Sequence, residues 1–200
     1  MIKRAAINFT LKAAGGAASV LVAALAARNM STGDYGTLAS LLSYCALLGG
    51  LLALGGDHFF KKYFGERSGQ GLSRTLATAL LLQVIVLSIF AGLGSMFFID
   101  ASLNRNLLVI TCIALIAFIA WQKSCSGSLI GVGGANWDAL VTGVFRPLTT
   151  LVLLAFLLFV GTSVDMQLVL DDVLGAQLAG FILSVVIALA LIYKLSKSQS

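Results

Sequence analysis

The sequence predicts an all-α membrane protein: a bundle of six transmembrane helices with both termini on the cytoplasmic side. Three observations carry the prediction. They are the apolar weight of the chain, the recurrence of apolar runs long enough to cross a bilayer, and the gathering of Lys and Arg at alternate run ends. Of 200 residues, 59% are hydrophobic and only 10% are charged, and the mean hydropathy is +1.01. An ordinary soluble domain is about 25% charged. A fold of this size leaves too much surface facing water to hide so many apolar side chains. Lipid is the solvent this composition calls for.

A helix needs about 20 apolar residues to cross a hydrocarbon core of about 30 Å. Six runs reach that length, at about 5–28, 35–56, 75–98, 106–128, 141–161 and 173–193. Each must be helical, because the bilayer interior offers no water to free backbone groups. The first run follows "MIKR", a fair signal-peptide start, but it holds Asn8 and Lys12 and further spans follow, so it reads as a retained helix. No long soluble segment interrupts the series, so residues 1–200 read as a single transmembrane lobe.

Direction follows from the basic residues. With the N-terminus inside, the cytoplasmic segments carry Lys3, Arg4, Lys61, Lys62, Arg67, Arg74, Lys123, Arg146, Lys194 and Lys197, whereas the outer loops carry only Arg28 and Arg105. That asymmetry fixes the orientation under the positive-inside rule. It also accounts for the excess of 13 Lys+Arg over 8 Asp+Glu without a nucleic-acid partner, because the charges mark run ends rather than one stripe.

The connections have their own chemistry. "ARNMSTGDYG" (27–36) is the first outer turn, where Gly33 and Gly36 supply backbone freedom and Ser31, Thr32 or Asp34 can cap the following helix. The first inner loop, "DHFFKKYFGERSGQGLSR" (57–74), spaces Phe59, Phe60, Tyr63 and Phe64 at i, i+1, i+4 and i+5. This predicts an amphipathic interfacial helix over about 57–68, aromatics at the acyl boundary and Lys61 and Lys62 toward anionic headgroups. Its role is a plain anchor between spans or a lipid sensor. His58 reads as a wetted interfacial residue, and Trp121 and Trp137 flank the second inner loop as interfacial indoles. Crowded small residues in span 1 (Ala13 to Ser19), with glycines in spans 2 and 3, favour close helix packing.

Catalytic chemistry has little to work with. There is one histidine, no HExxH and no Ser/His/Asp set, and "GVGG" (131–134) lacks the Lys-Ser/Thr of a phosphate loop. No metal, cofactor or enzymatic activity is expected. Cys45, Cys112 and Cys125 read as small packing residues, and Cys112 and Cys125 lie about 20 Å apart on one helix. The acidic residues all fall in loops or at helix ends, so no span interior is expected to carry a carboxylate. Three cations do lie within spans, all in the cytoplasmic half: Lys12, Lys123 and Arg146. Intramembrane charges are functional candidates by default.

Several stretches resemble the polysaccharide and O-antigen exporters of the multidrug, oligosaccharidyl-lipid and polysaccharide exporter superfamily. "LAARNMSTGDYGTLASLLS" (25–43) resembles that family's "ARxLGPExYG" turn, matching at Arg28, Asp34, Tyr35 and Gly36 and departing at Met30-Ser31-Thr32. "LALGGDHFFKKYFGE" (52–66) occupies the place of "LGLDxAxxRY", and "VFRPLTTLVLLAF" (144–156) resembles the fifth span with Arg146-Pro147 in place. "SGSLIGVGGANW" (126–137) resembles the fourth-span ending, with Ile130 where arginine is usual. The resemblance implies the N-terminal lobe of a two-lobe flippase in a bacterial inner membrane. Such a protein moves an undecaprenyl-diphosphate-linked glycan outward by alternating access.

On that footing Arg146, Lys12 and Lys123 form a cationic gate for the lipid diphosphate, with Arg146 best shaped for bidentate contact. The partners implied are the lipid-linked glycan, membrane lipids and a second six-helix lobe, supplied by a second copy or a separate chain. Two other readings are a multidrug or cation antiporter lobe, which the lack of an intramembrane carboxylate disfavours, and a non-transporting scaffold or truncated product.

Overall fold

In a computed structural model of the chain, the described residues are 2–53, 55–66, 78, 81, 83, 85, 103–162 and 170–199, all helical or in tight turns. The elements are α1 (Ile2–Asn29), α2 (Thr32–Leu52), α3 (Gly56–Glu66), α4 (Leu103–Gly131), α5 (Ala135–Leu140), a π turn (Val141–Phe145), α6 (Arg146–Thr162) and α7 (Leu170–Gln199). Five continuous helical stretches are long and apolar enough to cross a membrane: Ala6–Asn29, Thr32–Leu52, Leu108–Gly131, Ala135–Val160 and Leu170–Leu195. The protein is a multi-pass membrane protein, all-α among the described residues. The predicted third span, 75–98, lies outside them except for Thr78, Leu81, Gln83 and Ile85.

The turns are tighter than the sequence suggests. Only Met30 and Ser31 separate α1 from α2, and Gly33 and Gly36 are helical. Ser31 is the cap: its hydroxyl oxygen accepts from Asp34 N at 3.1 Å and donates to Asp34 Oδ2 at 2.7 Å. Between α4 and α5 the connection shrinks to Val132–Gly134. Gly133 takes φ +80, Gly133 N donates to Ile130 O (3.0 Å) and Gly134 N to Leu129 O (2.7 Å). These paired bonds close α4 in a Schellman arrangement that a side chain at 133 would strain. The fourth span therefore runs three residues beyond its predicted end and the fifth starts six earlier.

Two apolar cores stack along the bundle. One gathers Val22, Ala26, Leu38, Cys45, Leu115, Leu154, Val173, Leu174 and Phe181; the other gathers Phe60, Phe64, Cys125, Leu129, Val132, Val141, Val185 and Ile192. α7 packs along α4 and α6, α2 packs on α4, and α1 packs on α5, the π turn and α6. Large apolar side chains such as Phe9, Leu21, Phe156 and Phe159 stay on the outside, as lipid solvent permits.

The short helix α3 differs from the interfacial anchor read from sequence. Phe60 and Phe64 are buried in the second core, stacked at 5.6 Å, and only Phe59 is exposed, with Tyr63 half-buried. The cause lies in α4: Gly127 lets the backbone of α3 at Asp57 come so close that no Cβ fits between them. Lys61 and Lys62 remain exposed, as does His58, whose ring lies 3.7 Å from Asp57. Trp121 meets Phe118 edge-on at 4.9 Å, ten residues before the end of α4, and Trp137 is exposed on α5.

A paired substitution tests this packing. Gly127→Ala should destabilise the protein by about 1–3 kcal/mol through overpacking against α3. Gly16→Ala, where nothing lies within 4 Å, should be neutral or slightly stabilising. Thermal unfolding in detergent reads both.

Candidate cationic site

Arg146 stands where the helix changes pitch. Its N–H bonds back to Val141 O, five residues earlier, closing the π turn. Pro147, the one proline, has no N–H to offer the Gly143 carbonyl. Insertion of a residue into the ladder next to a proline is a recognised route to such a bulge. The Gly143 carbonyl turns toward α1 and meets Gly15, where the backbones are too close for any side chain.

This pitch change aims Arg146 inward. Its Nη1 donates to Gln122 Oε1 at 3.1 Å, Gln122 Nε2 donates to Ser184 Oγ at 3.1 Å, and Ser184 Oγ donates to Phe181 O at 2.8 Å. The guanidinium carbon lies 4.8 Å from the centroid of the Phe181 ring. Thr150 Oγ1 donates to the Arg146 carbonyl at 3.1 Å. Gln122, Ser184 and Thr150 are buried, and Arg146 is half-buried. On each of α4, α6 and α7 this polar layer falls at the boundary between the two apolar cores.

The cradle is neutral. Among the described residues no carboxylate forms an ion pair with Arg146. An arginine at a span centre costs about 2.5–3.5 kcal/mol on an insertion scale. A hydrogen bond to a charged group returns about 1.5–3 kcal/mol, and a desolvated cation–π contact about 2 kcal/mol. These described partners therefore hold the charge without cancelling it.

Depth differs from the sequence reading. Because the fifth helix begins at Ala135, Arg146 lies near the middle of the Ala135–Val160 stretch rather than in its cytoplasmic part. Lys12 and Lys123 sit at nearly the same level. The Lys12 backbone lies beside Gly143, about 5 Å along the axis from Arg146, and Lys123 follows Gln122 directly. Their heads do not converge on the guanidinium: both lysines are exposed, and Lys123 Nζ reaches over Gly50 of α2. In the turn between α1 and α2 Arg28 and Asp34 are exposed, Tyr35 packs against the first core, and Gly36 is an exposed helical position.

Sequence reasoning missed Gln122, Ser184, Thr150 and Phe181; isolated polar residues inside apolar runs were the available signal. It also missed Asp138, which lies at a helix end, as read, yet is buried in the first turn of α5. A second buried polar pair joins Gln83 Nε2 to Ser124 Oγ at 2.9 Å. The cysteines are free, with Cys45 Sγ 3.8 Å from Cys112 O.

No family model, curated protein or solved structure matches the chain.

A double-mutant cycle tests the cradle. Gln122→Leu should cost about 1.5–3 kcal/mol by leaving a buried charge without its acceptor. Added to Arg146→Leu, the same change should cost much less, since no charge is left to satisfy. Equal costs in both backgrounds, measured by unfolding in detergent, would mean that the two side chains do not interact.

Proposed function

We propose that the chain is one six-helix lobe of an exporter that flips an undecaprenyl-diphosphate-linked glycan across a bacterial inner membrane, with both termini in the cytoplasm. The observation that carries the reading is Arg146: a half-buried guanidinium near the middle of an apolar helix, held by neutral partners, with no carboxylate ion pair among the described residues. A planar cation so held is suited to a diphosphate, which it can meet with two parallel hydrogen bonds. Lys12 and Lys123, exposed at almost the same level, add positive charge along the path.

The transport step follows from charge and solvation. The diphosphate leaves cytoplasmic water, meets the lysines, exchanges hydration for the guanidinium, and is released when the site opens outward. The lipid tail stays in the bilayer, and the glycan occupies the space between this lobe and a second one, either another copy or a separate chain. The Gly15–Gly143 contact and the π turn give α1 and α6 a point about which to move.

Export of the lipid-linked glycan in cells, normalised to protein in the membrane, tests the reading. Arg146→Gln should lower it about tenfold or more, the equivalent of one charged hydrogen bond, and Arg146→Lys should keep part of it. Unchanged export from a stably inserted Arg146→Gln protein contradicts the proposal.

A further inference from the structure

With Phe60 and Phe64 committed to the second core, α3 still presents a flank that the bundle does not use. Phe59 is 55% exposed, and its ring stacks on that of half-buried Tyr63, with centroids 5.5 Å apart and planes 19° from parallel. Lys62 is exposed and, three residues after Phe59, borders the same flank. Lys61 is exposed as well, but stands about 160° round the helix from Phe59. Among the described side chains neither lysine pairs with a carboxylate.

The depth of this flank follows from what α3 lies against. Gly56 sits over Ser124, Asp57 against Gly127, and Phe60 and Lys61 against Gly131. α3 therefore runs beside the last turns of α4 and in the same direction. Gly131 ends the apolar stretch Leu108–Gly131, and a Cβ placed on it would stand 3.1 Å from the Lys61 carbonyl. The two lysines thus stand where the hydrocarbon ends, and Phe59 lies about 4.5 Å along the helix toward the bilayer centre from Lys62.

An exposed ring followed outward by an unpaired ammonium repeats the order of acyl chain and phosphate in a lipid leaflet. A soluble anion would leave the ring unused. A zwitterionic headgroup brings its own ammonium, which Lys62 repels, whereas an anionic headgroup is attracted to it. We propose that the Phe59–Lys62–Tyr63 flank of α3 binds an anionic phospholipid, one acyl chain against the ring pair and the phosphate on the Lys62 ammonium. The bound phosphate supplies the counter-charge that the described side chains withhold, and the acyl chain covers the ring that the core leaves outside. The site needs only α3 and the end of α4, so it stands apart from the glycan reading.

Tryptophan quenching by brominated lipids tests it. Phe59→Trp, in a chain whose Trp121 and Trp137 are replaced by phenylalanine, places its one indole on this flank. The protein is inserted into phosphatidylcholine vesicles that carry either brominated phosphatidylglycerol or brominated phosphatidylcholine. Quenching should show phosphatidylglycerol held about fivefold more tightly, the factor that one lysine near an anionic surface supplies. Lys62→Gln should remove most of that preference. Lys61→Gln, the same change of charge on the other side of the helix, should keep most of it. Where the tryptophan-replaced chain does not insert, the natural chain reads the same preference as phosphatidylglycerol that outlasts phosphatidylcholine through detergent washing, with both lysine variants beside it. Equal binding of the two lipids, or equal losses from the two lysine variants, overturns the proposal and leaves the glycan reading untouched.

Discussion

The structure depends on one arrangement: a guanidinium near mid-span whose partners among the described residues are an amide and an aromatic ring rather than a carboxylate. Gln122 accepts from Arg146 and donates to Ser184, and through them α4, α6 and α7 are tied at one level. On either side of that level the helices pack through two apolar cores. The layer resembles the single polar positions that fix register in helical assemblies. Here it also leaves a positive charge with no carboxylate ion pair among the described residues.

What brings Arg146 to this position is a run of three local constraints. Pro147 withholds a donor from Gly143, the helix takes a π turn, and the Gly143 carbonyl finds room only because α1 presents Gly15. Each constraint involves a residue with little side chain or a ring without an N–H. The same contact sets the Lys12 backbone beside Gly143.

Much of this was legible in the sequence, and the limits have physical causes. Apolar runs announced the long helices because bilayer thickness fixes their length. Arg146 stood out because a charge inside such a run is costly. Which face of a run meets protein was not legible: with lipid outside and packed side chains inside, both faces are apolar and periodicity carries little signal. That is why Phe60 and Phe64 read as lipid-facing although they fill a core, and why the pairing of Gln122 with Ser184, 62 residues away, was invisible. The depth of Arg146 and the burial of Asp138 were hidden by the glycines at 131–134, which resemble a loop and instead close α4 in a single turn.

The central claim is that water and anions reach a charge held at mid-membrane. Arg146→Cys, in a chain whose Cys45, Cys112 and Cys125 are replaced by alanine, tests it most directly in intact membranes. The account expects a water-soluble, negatively charged thiol reagent to modify that cysteine. Modification by a lipid-permeant maleimide alone, with no reaction from aqueous reagents on either side, would contradict it and make Arg146 a sealed packing residue.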